Sequence, residues 1–432
     1  MKFPGNLKII ANSKKNIIIS LFFILILYFL FSSGVINTFF VGKAFSEKGS
    51  SEFFVDWKTI IRWLECNSVG SEIYAICKAF NYGKIILLLP YSKNLEIFYF
   101  IYLPTITIAI FIISVTFLIN PRNIIQFIVL FLAIFNPSTL TLLERMNLDI
   151  FIFLILIIMS LNRIYVINWI LFSFAFLTKI YPVVLGIIIF VENKLRKKIS
   201  LIVILVSILV LLMTYIFIYQ QDIFSLNRYG VGVKAGYFLL FSLNATPKII
   251  KYVFDFNYIL SLIIIYIPFF ISLYFIIKFF NKRNIKNYID IYSFEEKLFL
   301  LGANMLVLCY IFFSNYYYRE IFLISLLPLF FKLINKYNIK YVNYVIYFII
   351  FRFIFLFIYG YIHIDTQNLV YHTNGIRYFT NIFLITATLK SLIDFVLMSF
   401  IGSLVLLMNY VVVVDLVSKY KKKGPEFKSG PF

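Results

Sequence analysis

Thr178-Lys179-Ile180-Tyr181-Pro182 stands in the middle of the apolar run from Tyr165 to Val191, and the reading of these five residues decides the fold. A lysine at bilayer depth costs about 3 kcal/mol on insertion scales, against about 0.5 kcal/mol gained per Leu or Ile. Pro182 removes a backbone donor and breaks or kinks a helix running through it. As one straight helix the run would be about 40 Å long, longer than an apolar core of about 30 Å. It also begins after Asn162-Arg163 and ends at Lys194, Arg196, Lys197 and Lys198, so both ends carry the basic signature of a cytoplasmic face. The reading adopted is two short helices that enter and return, with Lys179 at the vertex in a polar cavity. The competing reading is one long helix with a snorkelling lysine.

Outward from this stretch the chain is apolar throughout. Of 432 residues, 62% are hydrophobic and 14% charged, a composition of a polytopic membrane protein. The net charge of +21 comes from basic clusters between apolar segments. The positive-inside bias explains that distribution better than nucleic-acid binding does. Lys2, Lys8, Lys14 and Lys15 precede Ile17–Val41, which reads as an uncleaved signal anchor. Further apolar segments are 96–119, 124–137, 148–161, 165–178, 182–193, 199–219, 258–280, 298–313, 320–334, 341–361 and 391–415. The predicted fold is an all-α polytopic membrane protein with about twelve crossings, some half-length, and both termini inside. It forms a single domain over residues 1–420, with a first outer loop at 43–95, a long outer segment at 220–257 and a tail at 421–432. Residues 376–390 read as an interfacial helix leading into the last crossing.

In this topology the unusual polar groups fall on the outer side. In Phe53–Leu64, the residues Phe53, Trp57, Ile60, Ile61 and Leu64 share one helical face, opposed by Lys58 and Arg62. That pattern predicts an amphipathic helix in the membrane interface. Asp56 sits at the border of its apolar face, where partial desolvation suits a proton acceptor; the plain alternative is a solvated loop acid. Glu144-Arg145-Met146-Asn147-Leu148-Asp149 opens a short membrane segment with four polar side chains, which need a cavity or one another. Asn147 and Asp149 also suit a helix start as caps. Ser314–Glu320 supplies Asn315, Tyr318 and Arg319: a guanidinium fork for phosphate oxygens and tyrosines for a sugar, or else an aromatic belt. His363 and His372 lie nine apart in a further outer loop and make no recognisable metal motif; they are candidate ligand contacts. Cys66 and Cys77 share the first outer loop and can pair if it is extracytoplasmic, whereas Cys309 reads as a small core residue.

An interfacial acid with recessed cations is well suited to holding a lipid-linked phosphate while a carboxylate deprotonates an incoming hydroxyl. A single base with direct displacement inverts the anomeric centre. No Gly-rich phosphate loop or His/Cys cluster points to ATP-driven or zinc chemistry.

These residues also carry a likeness. Glu144-Arg145-x-Asn147-x-Asp149 before an apolar run, Lys179-x-Tyr181-Pro182, and Tyr318-Arg319 opening a helix that ends near Pro328 resemble glycosyltransferase family 87. This is the alpha-mannosyltransferase-like group of the GT-C membrane glycosyltransferases. The resemblance spans roughly residues 50–335, with Met146 in place of a small residue and Tyr317 in place of a common acid. It implies a GT-C fold, a polyprenyl-phosphate donor carrying mannose or a similar sugar, and a lipid or glycan acceptor met outside a bacterial cytoplasmic membrane. It implies no metal or other cofactor. It also implies an essential aspartate in the first outer loop, which maps onto Asp56. Donor binding falls to Lys179, Arg319, Arg145, Tyr181 and Tyr318, with Glu144, Asn147, Asp149, Asn315, His363 and His372 supporting. Two other readings are a surface-polysaccharide polymerase, and a flippase or transporter of lipid-linked sugars.

Overall fold

The computed structural model describes residues 13–33, 54–68, 84–179, 181–187, 240–241, 243, 257–312, 315–364, 370–373, 376–379 and 381–421. Among these the chain is predominantly helical. Five helices are long and apolar enough to cross a membrane: Lys14–Ser32, Lys93–Ile119, Ile259–Lys282, Tyr341–Ile358 and Ile385–Val414. A sixth candidate is the pair Ile124–Phe135 and Pro137–Arg145, bent by 42°. Their outer faces expose large apolar side chains, among them Leu25, Tyr28, Ile267, Phe275, Tyr344 and Val396. Apolar faces on this scale are covered by lipid in a protein that spans a bilayer.

The elements run as α1 (Ser13–Ser32), α2 (Val55–Ser68), α3 (Leu103–Ile119), α4 (Ile124–Phe135), α5 (Pro137–Arg145), α6 (Asp149–Leu161) and α7 (Tyr165–Thr178). After a tight 3-10 turn at Tyr181–Gly186 come α8 (Tyr258–Lys282), α9 (Phe294–Phe312), a longer 3-10 segment (Tyr317–Leu326), α10 (Leu327–Tyr337), α11 (Tyr341–Ile364) and α12 (Asn381–Lys421). The central helix is α9, which packs on the longer 3-10 segment, α6, α12 and the Tyr181–Gly186 turn. It is enclosed on nearly every side, with Leu298, Phe299, Leu300, Leu301, Met305 and Cys309 buried. The bend between α4 and α5 follows from Asn136, whose side chain caps α5 through Thr139 N (3.0 Å), and from Pro137, which suits the first helical position.

Several sequence expectations hold in form. The helix over 165–178 ends at Thr178, and Lys179 takes an extended backbone as its C-cap. The segments at 124–137 and 148–161 are short, at 12 and 13 helical residues. Of the expected returning helix at 182–193, residues 182–186 belong to the 3-10 turn and 188–193 lie outside the described residues; the segment 199–219 lies wholly outside them, and the tail and 220–257 largely so. Leu240–Phe241 of that long segment forms β1 and pairs antiparallel with β2, Asn315–Tyr316.

Others are corrected. Residues 320–334 are not one helix: the 3-10 segment runs to Leu326, and Pro328 opens α10 instead of closing a helix, since a proline lacks the N–H that the first turn leaves unused anyway. The interfacial helix at 376–390 is absent. Ile376–Phe379 is β4, paired with β3 (Val370–Thr373), and α12 then runs unbroken from Asn381. The alternating aromatic and β-branched residues flank Asn374-Gly375, the strongest short hairpin signal. His363 belongs to the last turn of α11, not to a loop, and His372 stands in β3 opposite Arg377.

The apolar face of α2 is covered by protein. Trp57, Ile60, Ile61, Trp63 and Leu64 are all buried, and the Trp57 indole donates to the Tyr99 carbonyl (2.8 Å) and meets the ring of Phe151. Its amphipathicity therefore seats it on the helical body. Cys66, on the same helix, is disulfide-bonded, and Cys309 is a free, buried thiol; Cys77 lies outside the described residues.

Candidate functional site

Four helix ends meet at one point, and each brings a charge of the sign that the end prefers. Asp56 lies in the first turn of α2 and Asp149 opens α6, where exposed N–H groups favour an anion. Arg145 closes α5 and Lys179 caps α7, where free carbonyls favour a cation. Phe54 N donates to the Glu144 carbonyl (2.7 Å), so the start of α2 is docked on the end of α5. Phe54 holds a left-handed backbone (φ 62°) to do this. Met146 joins α5 to α6 with φ 49°. That conformation suits glycine, which is the physical reason a small residue is expected there.

The contacts form one chain. Arg145 grips Asp56 with two prongs, Nη2 to Oδ1 (2.6 Å) and Nε to Oδ2 (3.1 Å). Asn147 Nδ2 donates to the same Oδ2 (2.6 Å). The amide oxygen of Asn147 accepts from Lys179 Nζ (2.9 Å) and from Asp149 N (3.1 Å). The carboxylate of Asp149 receives the Lys179 ammonium and the Tyr181 hydroxyl on one oxygen. Its other oxygen faces Arg319 Nε at 3.4 Å. The Arg319 guanidinium lies over the Tyr181 ring, 4.6 Å from its centroid. Burial grades along this chain: Asp149 is sealed, Lys179 nearly so, while Arg319, Asp56 and Arg145 keep 19%, 12% and 26% of their side chains exposed.

Seven residues singled out in the sequence are thus brought together: Asp56, Arg145, Asn147, Asp149, Lys179, Tyr181 and Arg319. Asn147 links Asp56 to Lys179 and Asp149, so the two carboxylates and the lysine belong to one contiguous network. Among the five charged members there are three cations and two carboxylates, a surplus of one positive charge as long as the buried Glu144 beside Arg145 is protonated. Glu144 is buried beside Arg145, and its Oε2 has no hydrogen bond among the described residues. Asn315 stands in β2 and Tyr318 in the 3-10 segment that carries Arg319, with only their backbone described, as for His363 and His372.

A second buried cluster escaped the sequence reading. Arg352 of α11 pairs through Nη2 with Glu320 Oε1 (2.6 Å) and Asp394 Oδ1 (2.7 Å). Lys390 pairs with Asp394 (2.7 Å) one turn away on α12, and Ser138 of α5 donates to Glu320 Oε2 (3.0 Å). Two signals for it were present: a lone arginine in the apolar run 341–361, and a Lys390–Asp394 pair at helical spacing. No family model, curated protein or solved structure matches this chain. What fold and site define together is a helical protein suited to a membrane, with a polar, partly open cluster of alternating charges at the meeting of helix ends.

Proposed function

We propose that this chain is a GT-C-like membrane glycosyltransferase that moves a sugar from a polyprenyl-phosphate donor to a lipid or glycan acceptor at the outer face. The single observation that carries the reading is the convergence of Asp56, Arg145, Lys179 and Arg319 from four separate segments on one partly open cluster with surplus positive charge. A phosphate meets guanidinium forks at Arg145 and Arg319, the geometry best matched to its oxygens. Lys179 and Tyr181 hold Asp149, which in turn orients Arg319.

Transfer then takes one displacement. The acceptor hydroxyl gives its proton to Asp56 and attacks the anomeric carbon as the bond from that carbon to the phosphate oxygen breaks. The phosphate leaves with the electron pair, its growing charge met by the cationic side chains. Both oxygens of Asp56 are engaged by Arg145 and Asn147. The base therefore becomes available only as Arg145 turns to the donor phosphate, which ties deprotonation to donor arrival.

The decisive experiment incubates purified protein in lipid with labelled polyprenyl-phosphate sugars and follows the label. Label in a new glycosidic bond, lost in Asp56→Asn, supports the reading. Donor that binds but never transfers to any glycan or lipid acceptor removes it. The second reading, a flippase of lipid-linked sugars, needs the path to continue past this site, where the described residues place the closed Glu320–Arg352–Asp394–Lys390 cluster. A flippase moves label between leaflets of a vesicle with no bond formed.

A further inference from the structure

An apolar groove of about 440 Å³ runs between α8, α11 and α12, away from the Asp149 cluster. Phe275, Phe279, Tyr341, Phe348, Val396 and Phe400 line it. The volume falls in the range of roughly 300–1,000 Å³ of small-molecule sites. At one end Phe279 meets Tyr341 edge-on at 5.6 Å, and the guanidinium of Arg283 sits 5.6 Å from the Phe279 ring. α8 ends at Lys282 and α11 begins at Tyr341, so Lys282, Arg283 and Lys340 gather around that same end. All three side chains are exposed, and none makes an ion pair among the described residues. Of the acids that follow in the chain, Asp290 accepts from Tyr292 N (3.1 Å), and Glu295 and Glu296 are both engaged by Lys332.

We infer that this groove holds an anionic phospholipid, with one acyl chain along the aromatic wall and the phosphate at Arg283 and Lys340. Charge complementarity selects the occupant. An apolar channel alone takes any acyl chain, but one that ends on cations without acidic partners prefers a headgroup with net negative charge. The same basic end is the one that the positive-inside rule puts at the cytoplasmic leaflet, where anionic lipids concentrate. The inference is independent of the proposed transferase activity.

The experiment places the full chain in nanodiscs of equimolar phosphatidylglycerol and phosphatidylcholine, extracts it gently, and counts retained lipids by native mass spectrometry. The expected result is enrichment of phosphatidylglycerol on the protein by roughly fivefold per basic contact. The double variant Arg283→Gln, Lys340→Gln should lose that preference while keeping its melting temperature in pure phosphatidylcholine. Equal retention of the two lipids by the unaltered chain overturns the inference. So does undiminished preference in the double variant, or a groove filled by a second copy of the chain whatever the headgroup.

Discussion

The two buried charge clusters sit side by side, yet they differ in the two properties that separate a working site from a clamp. The Glu320–Arg352–Asp394–Lys390 cluster is balanced, two against two, and its side chains are between 2% and 5% exposed. The Asp56–Arg319 cluster carries more cations than anions and opens through Arg145 and Arg319. Consecutive residues, Arg319 and Glu320, send one side chain to each. A closed, neutral network has nothing left to offer a ligand; an open one with surplus charge has. The lesson is that burial of charge in a membrane protein points to function only when exposure and imbalance come with it.

The largest expected effect comes from breaking the closed cluster. Arg352→Ala leaves Glu320 and Asp394 without their main counter-charge, and loss of one partner of a buried pair costs about 3–5 kcal/mol. Yield of monodisperse protein and its melting temperature in detergent should both collapse. Exchanging all four residues for apolar ones of similar volume should recover most of that loss. A variant Arg352→Ala as stable as the parent would dissolve the contrast between the clusters.

Asp56→Asn probes the open cluster. It should keep the fold, because the amide oxygen still accepts from Arg145 Nη2 even though its NH2 replaces the acceptor of Arg145 Nε and Asn147 Nδ2, while transfer falls by about 10²- to 10⁴-fold. Donor retention in an equilibrium binding assay should be unchanged. Arg319→Lys keeps the charge but loses the planar fork over Tyr181. Donor affinity should fall by about tenfold, with a smaller effect on the rate at saturating donor. A change of rate alone would move Arg319 from binding to chemistry.

The smallest effect sharpens the support of the open cluster. Trp57→Phe removes one hydrogen bond to the Tyr99 carbonyl while keeping a ring, for about 1 kcal/mol in stability. It should be read in the melting temperature, with any transfer activity unchanged.

How far the sequence disclosed this arrangement depends on what each residue's neighbours demand. Lys179 before Pro182 announced a break because neither suits the middle of an apolar helix, and Glu144–Asp149 announced a cavity because four polar groups cannot face lipid. Those two stretches share a need for partners, but nothing in their spacing says that Asn147, which reads as a helix cap, is the residue that joins them. Arg352 obeys the same logic but is easily passed over, because its partners, Glu320 and Asp394, come from segments that read as ordinary spans. The hairpin at Val370–Phe379 is written in Asn374-Gly375, but the apolar residues that follow favour a continuous helix on sequence alone. The left-handed backbones of Phe54 and Met146 had no local signal, since tertiary docking imposes them on residues that do not prefer them.

Asn147 uses its two amide termini for opposite purposes, giving protons toward Asp56 and taking them from Lys179. An aspartate in that place would turn a repelling oxygen on Asp56, and a leucine would leave the ammonium and the backbone of Asp149 unanswered. A glutamine has the right polarity and one methylene too many. The position therefore behaves as a keyed connector that admits a single side chain, and its vocabulary should be narrower than that of any charge it joins.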